Sequence, residues 1–234
     1  LDANGNRRFV AIPEDKKIAE GTGVWYGDYI YEDINKDGVI DEQDRTYLGN
    51  PEPKFTLGFN NSITWKGFDF NLFLTASVGN DAYNYLRQEQ SDPTNRWSNL
   101  SFIQDFARVG LIDPEGERTL ENMQVLNPGA STFRIDQSSA NQNTRTSNVF
   151  VEDASYLRIK NISVGYSLPR RLIGKIGIET LRVYCNIQNL HTFTKYKGYD
   201  PEIGAYNQNV LLRGVDYARY PSQRIFTFGL NIAL

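Results

Sequence analysis

The chain has 234 residues, with 25 Lys and Arg against 28 Asp and Glu, a net charge of −3, one Cys, one Met, one His, 14 Tyr and 13 Phe. The single Cys185 excludes an intramolecular disulfide framework and every multi-cysteine metal site, and the lone His191 argues against zinc hydrolase chemistry. A slightly acidic balance supplies no concentrated basic surface for neutralising phosphates, so nucleic acid is not an expected partner.

The length suits one all-β unit or two smaller domains. No apolar run approaches the ~20 residues of a spanning helix, the longest being of the Leu72-Phe73-Leu74 kind, and the mean hydropathy of −0.50 reads as that of a soluble protein. A membrane barrel averages to the same value, because only alternate residues of its strands are apolar. The chain starts at Leu1 without an initiator Met or a signal peptide, so it is expected to be a truncated or processed piece of something longer.

In chain order, a polar stretch from Leu1 to Tyr31 shows no periodicity. Residues Asp33-Ile34-Asn35-Lys36-Asp37-Gly38-Val39-Ile40-Asp41-Glu42-Gln43-Asp44 then follow the ordering of oxygen ligands in a twelve-residue calcium loop. Asp33, Asn35 and Asp37 are candidate side-chain ligands, Val39 a backbone-carbonyl ligand, Asp41 a direct or water-mediated one, and Asp44 the closing carboxylate. Gly38 stands where the sharp turn needs a positive φ. Asp44 replaces the usual Glu with a shorter side chain, and Tyr29-Ile30-Tyr31 looks β-like, so the loop lacks flanking helices. A Ca²⁺ here is expected to staple a loop, not to do chemistry; the alternative is a metal-free acidic turn built on Asx hydrogen bonds.

Strand periodicity begins at Phe55, with Phe55, Leu57, Phe59, Ile63 and Trp65 on one face and Thr56, Gly58, Asn60, Ser62 and Thr64 on the other. Lys66-Gly67 reads as a tight turn into a second strand, where Phe68, Phe70, Leu72, Leu74, Ala76 and Val78 are apolar in alternation, giving a long hairpin. A third strand starts near Tyr156; its phase slips at Lys160-Asn161, which predicts a bulge, and Ile162, Val164, Tyr166 and Leu168 carry the apolar face onward. After Pro169 a basic connection, Arg170 to Lys175, predicts one helical turn. Leu181, Val183, Cys185 and Ile187 mark the next strand, with Cys185 a small apolar face residue. Phe226, Phe228, Leu230, Ile232 and Leu234 mark the last. The stretches from Asn80 to Asn148 and from Tyr199 to Ser222 lack periodicity, and the first far exceeds a normal structureless loop.

Alternation alone fits a sandwich or a barrel. Strands with five or six apolar positions match membrane-spanning strands of ~9–11 residues, connections alternate between short and long, and Trp65, Phe68, Phe193 and Tyr196 sit at strand ends like interfacial girdles. About five such strands cannot close, since barrels begin at ~8, so further strands are expected upstream. The fold expected is therefore all-β: the C-terminal antiparallel strands of a large transmembrane β-barrel with long extracellular loops. Residues 1–53 are expected to be a mainly extracellular loop region, and 54–234 the barrel strands with an external loop at 80–148. The alternative is a secreted, calcium-stapled β-sandwich that binds carbohydrate. Enzymatic activity is not expected: Glu152-Asp153 and Asp113 with Glu115 read as solvated loop acids, and His191 as a rim residue. Trp97 and Tyr85 are candidates for stacking on sugar rings, and Arg87 and Arg96 for binding acidic or peptide groups, with ordinary loop roles as the alternative.

Several runs resemble signatures of the SusC/RagA family of TonB-dependent outer-membrane transporters. These are Gly27-Asp28 through the aspartate loop to Arg45-Thr46-Tyr47-Leu48-Gly49-Asn50-Pro51-Glu52-Pro53-Lys54-Phe55; Glu152-Asp153-Ala154-Ser155-Tyr156-Leu157-Arg158-Ile159-Lys160-Asn161-Ile162; Gly165-Tyr166-Ser167-Leu168-Pro169; Asn189-Leu190; Gly198-Tyr199-Asp200-Pro201-Glu202; and Phe226-Thr227-Phe228-Gly229-Leu230-Asn231-Ile232. They follow the family order along nearly the whole chain. The resemblance implies the C-terminal third or so of a plugged barrel of about 22 strands in the bacterial outer membrane. Such a barrel imports glycans or peptides with a SusD-like surface lipoprotein as lid, and its plug and contact with the TonB complex would lie upstream. One departure is the final Leu234, where such chains usually end in an aromatic residue.

Overall fold

The computed structural model describes residues 23–92, 99–135, 141–205 and 209–234. Their elements are β1 (Phe55–Trp65), β2 (Phe68–Val78), β3 (Asp81–Asn84), α1 (Tyr85–Glu89), β4 (Val109–Leu111), β5 (Met123–Val125), β6 (Val151–Asp153), β7 (Tyr156–Ser167), α2 (Arg170–Ile173), β8 (Thr180–Thr194), β9 (Val215–Asp216) and β10 (Ile225–Ala233), with several 3₁₀ turns between them. They fall into two compact units, one within Leu1–Leu48 and Arg87–Ser147, the other within Gly49–Leu86 and Asn148–Leu234.

The second unit is built on a five-stranded antiparallel sheet in the order β1-β2-β7-β8-β10. Its first hairpin closes through Lys66 and Gly67 with φ of 45° and 88°, the paired positive angles of a two-residue turn that follows strand twist. Gly67 is also required by space, since a Cβ there would lie 2.8 Å from the Ser167 carbonyl oxygen. The expected phase slip is present: register shifts between Ile159 and Asn161 against β8, and between Phe73 and Leu74 against β2. The basic connection contains the helical turn α2, and β8 runs 15 residues, beyond the segment that alternation marked.

Register carries the alternation across all five strands. Phe59 pairs Leu74, Phe70 pairs Val164, Val164 pairs Cys185 and Cys185 pairs Phe228, so one face is apolar from edge to edge. That face is uncovered: Trp65 is 63 % exposed, Leu230 63 % and Phe228 77 %. A sandwich would bury it against a second sheet ~10 Å away, and among the described residues no second sheet packs on it, which removes the sandwich alternative. The His191 ring lies on the same face, exposed and edge-on to Phe193 at 4.4 Å.

The opposite face is polar. Arg182 donates through Nε to Asp69 Oδ1 at 2.8 Å and through Nη2 to Asp69 Oδ2 at 2.6 Å, a fork that spans β7 at Gly165. Any Cβ on Gly165 would run into both partners, and the Tyr184 ring occupies the equivalent space over Gly229. Two strand glycines therefore act as floors on which a charged pair and an aromatic ring lie flat.

At the end of the sheet opposite the tight turn, β6, β3 and β9 form a small sheet, antiparallel between β3 and β6 and parallel between β3 and β9. These strands of two to four residues lie at or beside stretches that lacked periodicity, being too short to show it. Ala82, Ala154 and Tyr196 pack together as the buried centre of this end, with Ile203 against them.

The first unit holds the β4–β5 hairpin and buries Trp25, Ile103, Ala107, Met123, Ala130 and Phe133. Asp28 organises its interior. The carboxylate accepts from Arg134 Nε at 2.8 Å, Asn143 Nδ2 at 2.8 Å and the Trp25 backbone N–H at 2.9 Å, with both ionic side chains almost fully buried. Gly27, at φ 82°, permits the turn that aims it.

Candidate functional site

In the second unit, Arg158 of β7 is 2 % exposed and each of its three guanidinium nitrogens is hydrogen-bonded. Its Nε donates to Thr192 Oγ1 at 2.8 Å, Nη1 to Glu202 Oε2 at 2.8 Å and to Ser222 Oγ at 3.0 Å, and Nη2 to Asp200 Oδ1 at 2.5 Å. Asp200, equally buried, also accepts from the backbone N–H groups of Glu202 at 3.0 Å and Ser222 at 2.9 Å. A guanidinium buried without this company would cost several kcal/mol. The arrangement ties Asp200, Glu202 and Ser222 onto the end of β7, and Glu202 is shared with Lys160 at 3.2 Å. The Arg158 and Asp200 that make it stand in two separate runs, Tyr156-Leu157-Arg158-Ile159-Lys160 and Gly198-Tyr199-Asp200-Pro201-Glu202.

The neighbouring contacts extend the same knot. The Tyr196 hydroxyl donates to Asp216 Oδ2 at 2.6 Å, and burial together with that carboxylate pushes the phenol pKa up. The Tyr196 ring lies where a Cβ on Gly198 would be. Glu152 accepts from the Lys197 N–H at 2.8 Å and Asp153 from the Ser155 N–H at 2.9 Å, so this acidic pair, with Asp153 exposed, also shapes the backbone. Asn50 and Asp81 exchange bonds, Asp81 N–H to Asn50 O at 2.7 Å and Asn50 N–H to Asp81 Oδ2 at 3.0 Å.

In the first unit the aspartate loop is wound by its own carboxylates. Asp33 accepts from the Lys36 N–H at 2.7 Å and the Gly38 N–H at 2.8 Å, Asn35 Oδ1 from the Asp37 N–H at 3.0 Å, Asp37 Oδ1 from the Val39 N–H at 2.8 Å, and Asp41 from the Gln43 N–H at 2.7 Å. Asp44 draws the two ends together, accepting from the Ile34 N–H at 2.8 Å and the Asp41 N–H at 2.9 Å. Gly38 has the positive φ, 84°, that its place in the pattern requires. Asp33 and Asp44 are half-buried, while Asn35, Asp37, Val39 and Asp41 are exposed. Among the described residues no three His, Cys, Asp or Glu side chains converge on one point to hold an ion. The donor set of carboxylates, one amide and one carbonyl suits a hard cation such as Ca²⁺.

Of the ligand-contact candidates, Tyr85 packs against Tyr217 with centroids 4.5 Å apart and the rings tilted by 42°, and Arg87 lies in α1. Arg96 and Trp97 lie outside the described residues. Sequence reading missed Arg158, Asp200, Tyr196 and Asp216 as a connected set. The available signal was an Arg on the polar face of a strand and a Gly-Tyr-Asp-Pro-Glu run in a segment otherwise read as loop.

Burial by itself would push the Asp200 carboxyl up; the N–H groups of Glu202 and Ser222, joined by Arg158, outweigh it and hold the pKa down, from 3.8 to about 2. A depressed carboxyl contributes stability that is full above its unfolded value and is lost as pH falls through its folded one. Asp200→Asn in the full-length protein is therefore expected to lower stability by about 2 kcal/mol at pH 7. Thermal unfolding should show the gap to the unaltered protein constant down to about pH 4 and closing toward about pH 2.

No family model matches the chain. TonB-dependent receptor P3 of Formosa agariphila is 36 % identical over 241 aligned residues, covering 96 % of this chain and 21 % of the relative. TonB-dependent receptor SusC of Bacteroides thetaiotaomicron is 27 % identical over 205, covering 87 % and 17 %. The fold resembles solved structures of the RagAB peptide transporter, at TM-score 0.57 and 21 % identity over 96 % of this chain and 22 % of that one. It also resembles the RagAB peptide importer in the closed-closed state, at TM-score 0.62 and 23 % identity over 91 % and 21 %. The chain spans about a fifth of the length of the relatives it matches. An antiparallel sheet with one uncovered apolar face, held at one end by the interlocked runs and matched along nearly its whole length by these receptors, identifies the chain as a partial-length member of the SusC/RagA-type TonB-dependent transporters.

Proposed function

We propose that this chain supplies C-terminal spanning strands of a bacterial outer-membrane TonB-dependent importer, which takes up glycans or peptides together with a SusD-like surface lipoprotein. The observation that carries the reading is the apolar face, uncovered over five strands of 9 to 15 residues and opposed by a polar face holding the Asp69–Arg182 fork. Lipid covers such a face and a water-filled or plugged lumen accepts the other. The likeness to the RagAB peptide transporter supports peptides as one substrate class and a paired partner as the working unit.

With the Ala233 end of β10 on the periplasmic side, the Lys66-Gly67 turn and Arg170-Arg171 face the periplasm. Residues 1–53 are mainly outside the cell, and so is the 80–148 loop of the strand region 54–234. The knot at Arg158 and Asp200 holds the external end in one shape, against which a lid can close. The driving energy comes from the TonB complex through a plug in the upstream part of the protein.

Deleting the gene for the full-length protein in its host is expected to abolish uptake of one labelled class, peptides or oligosaccharides, and loss of TonB is expected to do the same. Recovery of the full-length protein in buffer without detergent contradicts the reading.

We also propose that the 33–44 loop takes a structural Ca²⁺ through Asp33, Asn35, Asp37, Val39, Asp41 and Asp44. Calcium is expected to protect this loop from proteinase in the full-length protein, with chelator or Asp33→Ala restoring cleavage. Identical cleavage with and without chelator contradicts the site.

A further inference from the structure

At the tight-turn end of the sheet, the β7–β8 connection presents cations and apolar side chains together. α2 and the 3₁₀ turn Gly174–Ile176 follow it, with Pro169 at the start and Gly177 at φ 78° at the end. Ile173 points inward at 3 % exposure, whereas Leu172 is 62 % and Ile176 71 % exposed. These two lie four residues apart, as do Arg171 and Lys175, so on a helical turn each pair shares a side and the pairs are neighbours. The Lys66-Gly67 turn adjoins them, since the Ser167 N–H donates to Gly67 O at 2.8 Å, and Lys66 Nζ lies 5.0 Å over the Trp65 ring.

Residues 66–67 and 169–179 carry Lys66, Arg170, Arg171 and Lys175 against Glu179 alone. Arg170 reaches Glu179 only loosely, at 3.8 Å and with both side chains mostly exposed. Among the described residues Arg171 and Lys175 have no ion-pair partner. Exposed apolar side chains flanked by unpaired cations and bordered by Trp65 and Phe68 form a surface suited to a membrane boundary, with aliphatic groups below the headgroups and cations at phosphate level. A protein interface would instead leave its apolar centre depleted of Lys.

We propose that this surface seats anionic phospholipid headgroups of the leaflet at the tight-turn end, with Arg171 and Lys175 as phosphate contacts and Leu172 and Ile176 inserted beside them. The inference rests on the membrane reading above. Phosphate contact by two cations selects anionic over zwitterionic lipid through the added surface charge.

The test places the full-length protein in nanodiscs of phosphatidylethanolamine and phosphatidylglycerol in equal parts and counts retained lipids by native mass spectrometry. Phosphatidylglycerol is expected to be retained over phosphatidylethanolamine by about five-fold or more. The preference should be lost in Arg171→Gln/Lys175→Gln, kept in Arg171→Lys, and weakened by salt. An equal retention of both lipids, or a preference that survives the double substitution, overturns the proposal while leaving the membrane reading intact. Failure of the unaltered protein to enter nanodiscs overturns the membrane reading itself.

Discussion

A sheet face of Phe, Leu, Ile, Val and Trp side chains running from edge to edge of five strands must meet something other than water, and the rest of the structure follows from that constraint. Period-two alternation puts every second residue on that face, and a one-residue slip would exchange the two faces entirely. The chain therefore fixes register by several devices: the positive-φ turn at Lys66-Gly67, the bulge beside Lys160, and glycines at 165 and 229 that leave room for partners on the polar face. The Asp69–Arg182 fork gives that face a directional bond across a strand, so the polar side is held by geometry as well as by exclusion.

The end opposite the tight turn is built differently. Short strands, a buried guanidinium and two buried carboxylates replace alternation, and the strand pairings and buried bonds that hold this end join residues far apart in sequence. A buried ion pair is poor value as a source of stability compared with an apolar core, but it admits few alternative arrangements. The tie from Arg158 to Asp200, Glu202 and Ser222 fixes one such arrangement for residues drawn from a stretch without periodicity.

The long strands were legible because each carries many turns of one simple period: the hairpin of β1 and β2 was readable to the residue, the bulge appeared as a phase slip, and the helical turn after Pro169 as a break in alternation. β3, β6 and β9 were not legible, since two to four residues cannot display a period and their pairing depends on distant partners. β4 and β5 were hidden for the same reason inside residues 80–148, and they belong to the unit that joins Arg87–Ser147 with Leu1–Leu48. Asp200 and Asp216 lie in the stretch from Tyr199 to Ser222 that lacks periodicity, and their burial was not legible because burial of a charge depends on its partner, and Arg158 stands 42 residues from Asp200. The aspartate loop was legible as a pattern, and its internal hydrogen bonds wind it as that pattern requires, with Gly38 in the positive-φ position.

The account turns on β10 lying between lipid and lumen, and labelling reads that directly. Single cysteines at 226, 227, 228, 230, 231 and 232, in a Cys185→Ala background of the full-length protein reconstituted in bilayers, report their surroundings through an attached fluorophore. Positions 226, 228, 230 and 232 are predicted to be quenched by a lipid-soluble quencher, and 227 and 231 to be shielded from it. Uniform quenching by an aqueous reagent at all six positions, or a period other than two, would contradict the account.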